Sequence, residues 1–278
     1  AGGELFTENA ASALLWGVSV DLFTGRLEAV RPSGGQMGAV TQFQSGVSGN
    51  PRGRPRGSKN KLPLELRALV AQALEQAGYA VFNWDYPSRE FGLEPLIEAL
   101  GRYVHDAAAL SGRVDLVTHS MGGLLARGVL RELPAPNIGR LVMLAPPNHG
   151  AQLASRASAY AWARGFYGQV LEELRPERAA ALGERIGRPA CPFGVIAGTR
   201  AFHPLQPTSY VTSLASRSGA AGAHDGTVAV DETRLPGMSD FITVDANHMF
   251  IMEHDDTIRQ TLHFLETGSF LHAFPPSN

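Results

Sequence analysis

From residue 62 onward the apolar positions alternate between two periods. Leu62, Leu66, Leu69, Val70, Ala73 and Leu74 recur at the spacing of one helix face, and Gly78 ends the run. A short apolar stretch follows, Tyr79 to Asp85, closed by Tyr86-Pro87, and this predicts a strand. Leu96, Ile97, Leu100, Val104 and Ala107 predict a second helix that ends near Ser111-Gly112. Val114–Thr118 reads as a strand and 121–132 as a helix carrying Leu124, Leu125, Val129 and Leu130. Further strands are predicted at Leu141–Ala145, Phe193–Ala197 and Phe241–Val244, and a last helix around Ile258, Leu262 and Leu265.

Strands separated by helices of this length require crossover connections, so the prediction is an α/β fold with a mainly parallel sheet and helices on both faces. In such sheets the reactive groups belong in loops at the carboxyl ends of the strands. The segment 147–192 is too long for a simple crossover. It holds an aromatic-rich helical stretch, Leu153 to Tyr167, and a second one from Gln169 to Ile186. Two readings stand for it: a helical cap inserted over the site, or a large crossover packed on the sheet. Residues 1–61 break the rhythm. Leu14 to Val20 and Arg26 to Val30 pattern as a hairpin turned at Thr24-Gly25, and 44–61 is a Gly, Ser, Asn, Pro and Arg loop. The chain therefore divides into an atypical segment 1–61 and a core 62–278 with the insertion 147–192.

Composition narrows the function classes. A chain of 278 residues with 44% hydrophobic and 18% charged residues supports a large core. The net charge of −2 gives no global field toward nucleic acid or membranes. A single cysteine, Cys191, excludes an internal disulfide and a cysteine-built zinc site. Nine histidines are present, yet none falls in an H-E-x-x-H pattern, and no G-x-G-x-x-G opens a helix after a first strand. No stretch reaches the roughly 20 apolar residues of a membrane helix. The opening Ala1-Gly2-Gly3-Glu4 lacks the features of a signal peptide, so a cytoplasmic location is the default expectation. The only lysines, Lys59 and Lys61, lie in the basic window 51–61, whose Arg52-Gly53-Arg54-Pro55 looks like a minor-groove-binding hook.

The candidate chemistry centres on Thr118-His119-Ser120-Met121-Gly122. Ser120 follows a strand directly and precedes a helix opening with Gly122-Gly123, where small neighbours let a strained turn close. The Met121 N–H at the helix start is positioned to donate to a developing oxyanion. Thr118 is bulkier than the glycine usual there. A serine needs a base and an orienting acid, and the chain order Ser, acid, His is met by Asp225 and His248, each just beyond a predicted strand. Asp231 and Asp245 compete as acids, and His254, His224 and His119 as bases. His119 reads as structural or pocket-lining, because sequence neighbours seldom face one another at such a turn.

From about residue 63 to 270 the sequence resembles bacterial α/β-hydrolases of the esterase/lipase group. The resemblance rests on Tyr79-Ala-Val-Phe-Asn-Trp-Asp-Tyr-Pro-Ser88, Val114 to Gly123, Leu144-Ala-Pro-Pro-Asn-His-Gly150, Asp225-Gly-Thr-Val228 and His248. It implies an α/β-hydrolase fold and a serine hydrolase with Ser120 as nucleophile, Asp225 as acid and His248 as base. A small-molecule or lipid ester would be the substrate, with no cofactor or metal and a place in lipid metabolism. That family carries a strand ending in His-Gly about thirty residues before residue 79, whose loop supplies the second oxyanion donor. No His-Gly occurs there; the basic window takes that place. The expectation is thus a fused or recombined N-terminus and an oxyanion hole lacking its second donor. Nucleic-acid binding by 51–61 and an impaired hydrolase scaffold stand as competing functions.

Overall fold

A computed structural model describes residues 12–18, 62–84, 91–110, 113–132, 137–150, 170–201 and 222–272. The strands are β1 (Ser12–Val18), β2 (Ala80–Trp84), β3 (Arg113–His119), β4 (Ile138–Leu144), β5 (Phe193–Gly198) and β6 (Asp240–Val244). The helices are α1 (Leu62–Gln76), α2 (Leu93–Leu110), α3 (Met121–Glu132), α4 (Val170–Glu173), α5 (Pro176–Ile186), α6 (Val230–Thr233) and α7 (Asp255–Thr267). A 3-10 turn, Ile251–Glu253, precedes α7. None of the described helices is long and apolar enough to cross a membrane.

The strands form one six-stranded sheet in the order β2-β1-β3-β4-β5-β6, and every pairing is parallel. Side chains on a strand alternate between faces, and here both faces are covered. Val114 and Leu116 of β3, Leu141 and Met143 of β4, and Phe193 and Val195 of β5 pack with buried residues of α2, α3 and α5. The intervening Val117, Val142, Leu144 and Ile196 pack with α1, the 3-10 turn and α7 on the opposite face. Double coverage is why these strands read as continuous apolar runs.

The predicted core elements appear within a few residues of their expected limits, but two readings are corrected. Of the hairpin expected from Leu14 to Val20 and Arg26 to Val30, only 14–18 lie among the described residues, and these do not pair as a hairpin arm. Its first arm is β1, paired in parallel with β2 on one side and β3 on the other, so neither edge is free for an antiparallel partner. Residues 26–30 lie outside the described residues, as does the basic window 51–61. β1 thus lies between β2 and β3 in the sheet although it is far upstream of both in the chain. Such displacement is tolerated because closure entropy grows only with the logarithm of loop length. Second, the helix expected from Gln169 to Ile186 is broken in two. Pro176 has no N–H to continue a helix, and it occupies the start of α5 instead. The stretch 153–167 lies outside the described residues.

The face that receives α7 depends on a missing side chain. A Cβ built at Gly194 of β5 would lie 2.5 Å from Phe264 Cε2 and 2.7 Å from Phe270 Cζ. Those two buried rings stack with centroids 4.8 Å apart, so neither can retreat freely. Gly194→Ala is expected to cost about 1–3 kcal/mol by overpacking. Urea denaturation measures it, and an unchanged midpoint would show that the rings repack without cost.

Candidate active site

The chain runs from β1 to the edge strand β2, returns across β1 to β3, and then proceeds steadily to β6. This reversal places the topological switch between β1 and β3, and the crevice of an open α/β sheet lies at the carboxyl ends of such strands. Ser120 stands there, immediately after β3. Its backbone is left-handed, with φ 53°, a conformation that costs a non-glycine residue roughly 1–2 kcal/mol. The neighbouring chain holds it. Ser120 N–H donates to Leu144 O at 2.8 Å, and Ser120 O accepts the Gly123 N–H that starts α3 at 3.0 Å. Ala145, at the end of β4, is also left-handed, with φ 47°, and its N–H donates to Ile196 O at 2.8 Å. Thr118 fits without disturbing the turn, because its hydroxyl is directed to Val142 O at 3.4 Å.

The structure brings Ser120, Asp225 and His248 together. Ser120 Oγ lies 2.9 Å from His248 Nε2, and His248 Nδ1 lies 2.7 Å from Asp225 Oδ2. All three are shielded from solvent, at 8%, 0% and 7% exposure for Ser120, Asp225 and His248. A carboxylate only accepts, so the proton between His248 and Asp225 belongs on Nδ1; neutral His248 then offers its Nε2 lone pair to the Ser120 hydroxyl. Asp225 Oδ1 accepts the N–H groups of Thr227 at 2.8 Å and Val228 at 2.7 Å, which fixes the carboxylate plane. The backbone also joins acid to base, with His248 N–H donating to Asp225 O at 2.9 Å. Gly198 permits this closeness. A Cβ there would sit 2.5 Å from Ala246 O and 2.9 Å from Asp225 Cβ, in the space between the two loops.

The competing residues are placed elsewhere. Asp245 is held by Arg200 in a two-point ion pair, at 3.2 and 2.6 Å, and that guanidinium lowers its carboxyl below the ordinary range. Asp231 lies on α6 with its side chain 92% exposed. His254 stands at the N-terminal boundary of α7, ahead of Asp255 and Asp256. His224 turns its Nδ1 to accept the Gly226 N–H at 3.1 Å. His119 is buried, with its ring 4.9 Å from that of His248. Its Nε2 lies 2.8 Å from His248 O.

One buried network was not anticipated. Arg127 of α3 donates through Nε and Nη2 to Gly187 O at 2.9 and 2.7 Å, and through Nη1 to Asn148 O and Oδ1 at 3.2 and 3.0 Å. Burial pulls its pKa down to about 10, which still leaves it charged at neutral pH. Asn148 Nδ2 continues to Thr233 O at 2.7 Å. The network thus ties the helix behind Ser120 to the end of α5 and to α6, the helix that follows the Asp225 loop. The signal available in the sequence is a charged residue amid Leu124, Leu125, Ala126, Val129 and Leu130.

With this geometry in place, the class of the protein follows. The chain belongs to the alpha/beta hydrolase family, whose sequence profile matches residues 61–264. A family of unknown function (DUF5681) matches residues 39–77, from the stretch before the basic window to the end of α1. The mature form of the Bacillus licheniformis lipase BlEst2 is similar at 20% identity, with a TM-score of 0.62, covering 70% of this chain and 83% of that one. The Legionella pneumophila phospholipase PlaB shares 16% identity with a TM-score of 0.60, covering 93% of this chain but only 60% of its own length. A metagenomic carboxyl esterase, MGS0156, shares 18% identity with a TM-score of 0.51, covering 64% of this chain and 57% of that one. At these identities the likenesses establish the fold. No match is found among curated proteins.

The acid loop carries its own pH dependence. Burial lowers His224 below its ordinary 6.5, outweighing the opposing pull of Asp225. The unfolded chain therefore takes up this proton at a higher pH than the folded one. The corresponding stability is complete above pH 6.5 and is lost as pH falls through the lowered folded value. Neutral His224 is also the form whose Nδ1 can accept from Gly226. His224→Asn keeps an acceptor near that position and cannot titrate, so its melting temperature should fall less than that of the wild type between pH 7 and about 5. Equal losses in thermal melts would exclude the contribution.

Proposed function

We propose that the protein is a serine hydrolase of carboxylic esters, with Ser120 as nucleophile, His248 as general base and Asp225 as the orienting acid. The observation that carries this reading is the continuous hydrogen-bond chain Asp225–His248–Ser120, ending on a serine in a left-handed turn at a helix start. Ser120 Oγ attacks the ester carbonyl carbon while its proton passes to His248 Nε2. The tetrahedral oxyanion collapses, the bond to the alcohol oxygen breaks, and that oxygen takes the proton from Nε2. Water then repeats the sequence on the acyl-serine, giving its proton to Nε2, and releases the acid with Ser120 restored.

Asp225 holds the Nδ1–H tautomer and stabilises the imidazolium that forms twice in this cycle. The Met121 N–H, at the first position of α3, has no intrahelical acceptor, and we assign it as one oxyanion donor. Val18, the last residue of β1, is in register with His119, the residue before the nucleophile, and the residues that follow Val18 lie outside the described residues.

A short-chain p-nitrophenyl ester assay tests the reading. Ser120→Ala is expected to lower kcat by at least about a thousandfold with folding intact. Equal turnover by the wild type and this variant would refute the assignment of the nucleophile.

A further inference from the structure

We propose that His119 is a positioning residue for the general base, locking His248 into the nucleophile strand through the Nε2–H···O=C bond to the His248 carbonyl. The inference rests on the serine hydrolase reading and adds to it a residue that touches no substrate.

The geometry carries the role. A carbonyl oxygen only accepts, so His119 Nε2 must bear the proton of the 2.8 Å contact. His248 is then gripped at both of its backbone groups. Its N–H is held by Asp225 O from the acid loop, and its C=O by His119 from the end of β3. Because His119 precedes Ser120 in the chain, a closed ring results: Ser120 Oγ to His248 Nε2, His248 O to His119 Nε2, and His119 to Ser120 through one peptide bond. The backbone that carries the base cannot shift away from the nucleophile strand without breaking the His119 bond. His119 is buried, where a hydrogen bond meets little competition from water.

The ring also states which steps are affected. The imidazole exchanges a proton with Ser120 during acylation and with water during deacylation, and it must return to the same place between them. Loosening His248 slows both steps by similar factors. In an acyl-enzyme pathway equal slowing of both steps lowers kcat and leaves KM unchanged. Loss of a pocket-lining side chain would instead raise KM.

Three substitutions separate these roles. Phenylalanine fills the ring's volume and cannot donate. Asparagine places an amide only where the near ring nitrogen sits. Glutamine carries its amide N–H out to the position of Nε2. Steady-state hydrolysis of a p-nitrophenyl ester is measured per active site, counted by burst titration with a p-nitrophenyl phosphonate so that misfolded protein drops out. His119→Phe and His119→Asn are expected to lower kcat about 10- to 100-fold at constant KM. His119→Gln is expected to recover most of that loss. Unchanged kcat in His119→Phe and His119→Asn, a loss confined to KM, or no recovery by glutamine each overturns the proposal. A wild type that neither turns over the ester nor reacts with the phosphonate overturns the hydrolase reading, and the role of His119 with it. An active wild type with unaffected variants removes only the role of His119.

Discussion

A parallel sheet buried on both faces leaves no room for reactive groups along its strands, and this constraint governs the rest of the molecule. Strands β3, β4 and β5 pack against helices on each side, and the positions that meet those helices are mostly apolar. Groups that must meet a substrate are displaced to the carboxyl ends, where the chain leaves the ladder. Ser120 follows β3, Asp225 lies in the loop sequence between β5 and β6, and His248 follows β6. The reversal of strand order between β1 and β3 opens the crevice at the point where Ser120 stands.

What gives the loops precision is a set of backbone bonds rather than the side-chain chain alone. Ser120 is held left-handed by Leu144 O, and Ala145 by Ile196 O, so the strain of each turn is borne by the next strand. The bond from His248 N–H to Asp225 O ties base to acid, and His119 ties base to nucleophile. Behind them, Arg127 and Asn148 join α3 to α5 and α6 through buried polar contacts. A charge buried this deeply is tolerated only where carbonyl and amide oxygens replace water, and the energetic penalty for removing one partner makes the network cooperative.

The place of β1 in the sheet is not the one its residue numbers suggest. A central strand lies more than forty residues upstream of α1, outside the region matched by the hydrolase profile. Pairing requires only that the strand reach its neighbours in register, as Ala13 does with Ala80 and Val114. The intervening length adds modest entropy, whereas an empty lane between β2 and β3 would expose two central edges. β1 fills that lane from far upstream in the chain.

Much was legible from residue order alone. Helix and strand periods in residues 62–270, the helix-starting glycines after Ser120, and the order Ser120, Asp225, His248 are local or sequential features. Each survives projection onto one dimension. The same holds for the reading of 118–122 as a strand-to-helix turn, because its steric demands fall on adjacent residues. Leu14 to Val20 read as a hairpin arm in sequence, because a short apolar run carries no information about which strands flank it. Only the assembled sheet decided that both of its edges were occupied in parallel. Tertiary structure also placed Asp245 on Arg200 and Asp225 on His248, separating the acid favoured by residue order from its competitor. It likewise showed His119 reaching a carbonyl 129 residues away. A hydrogen bond depends on distance and direction in space, and chain separation sets neither.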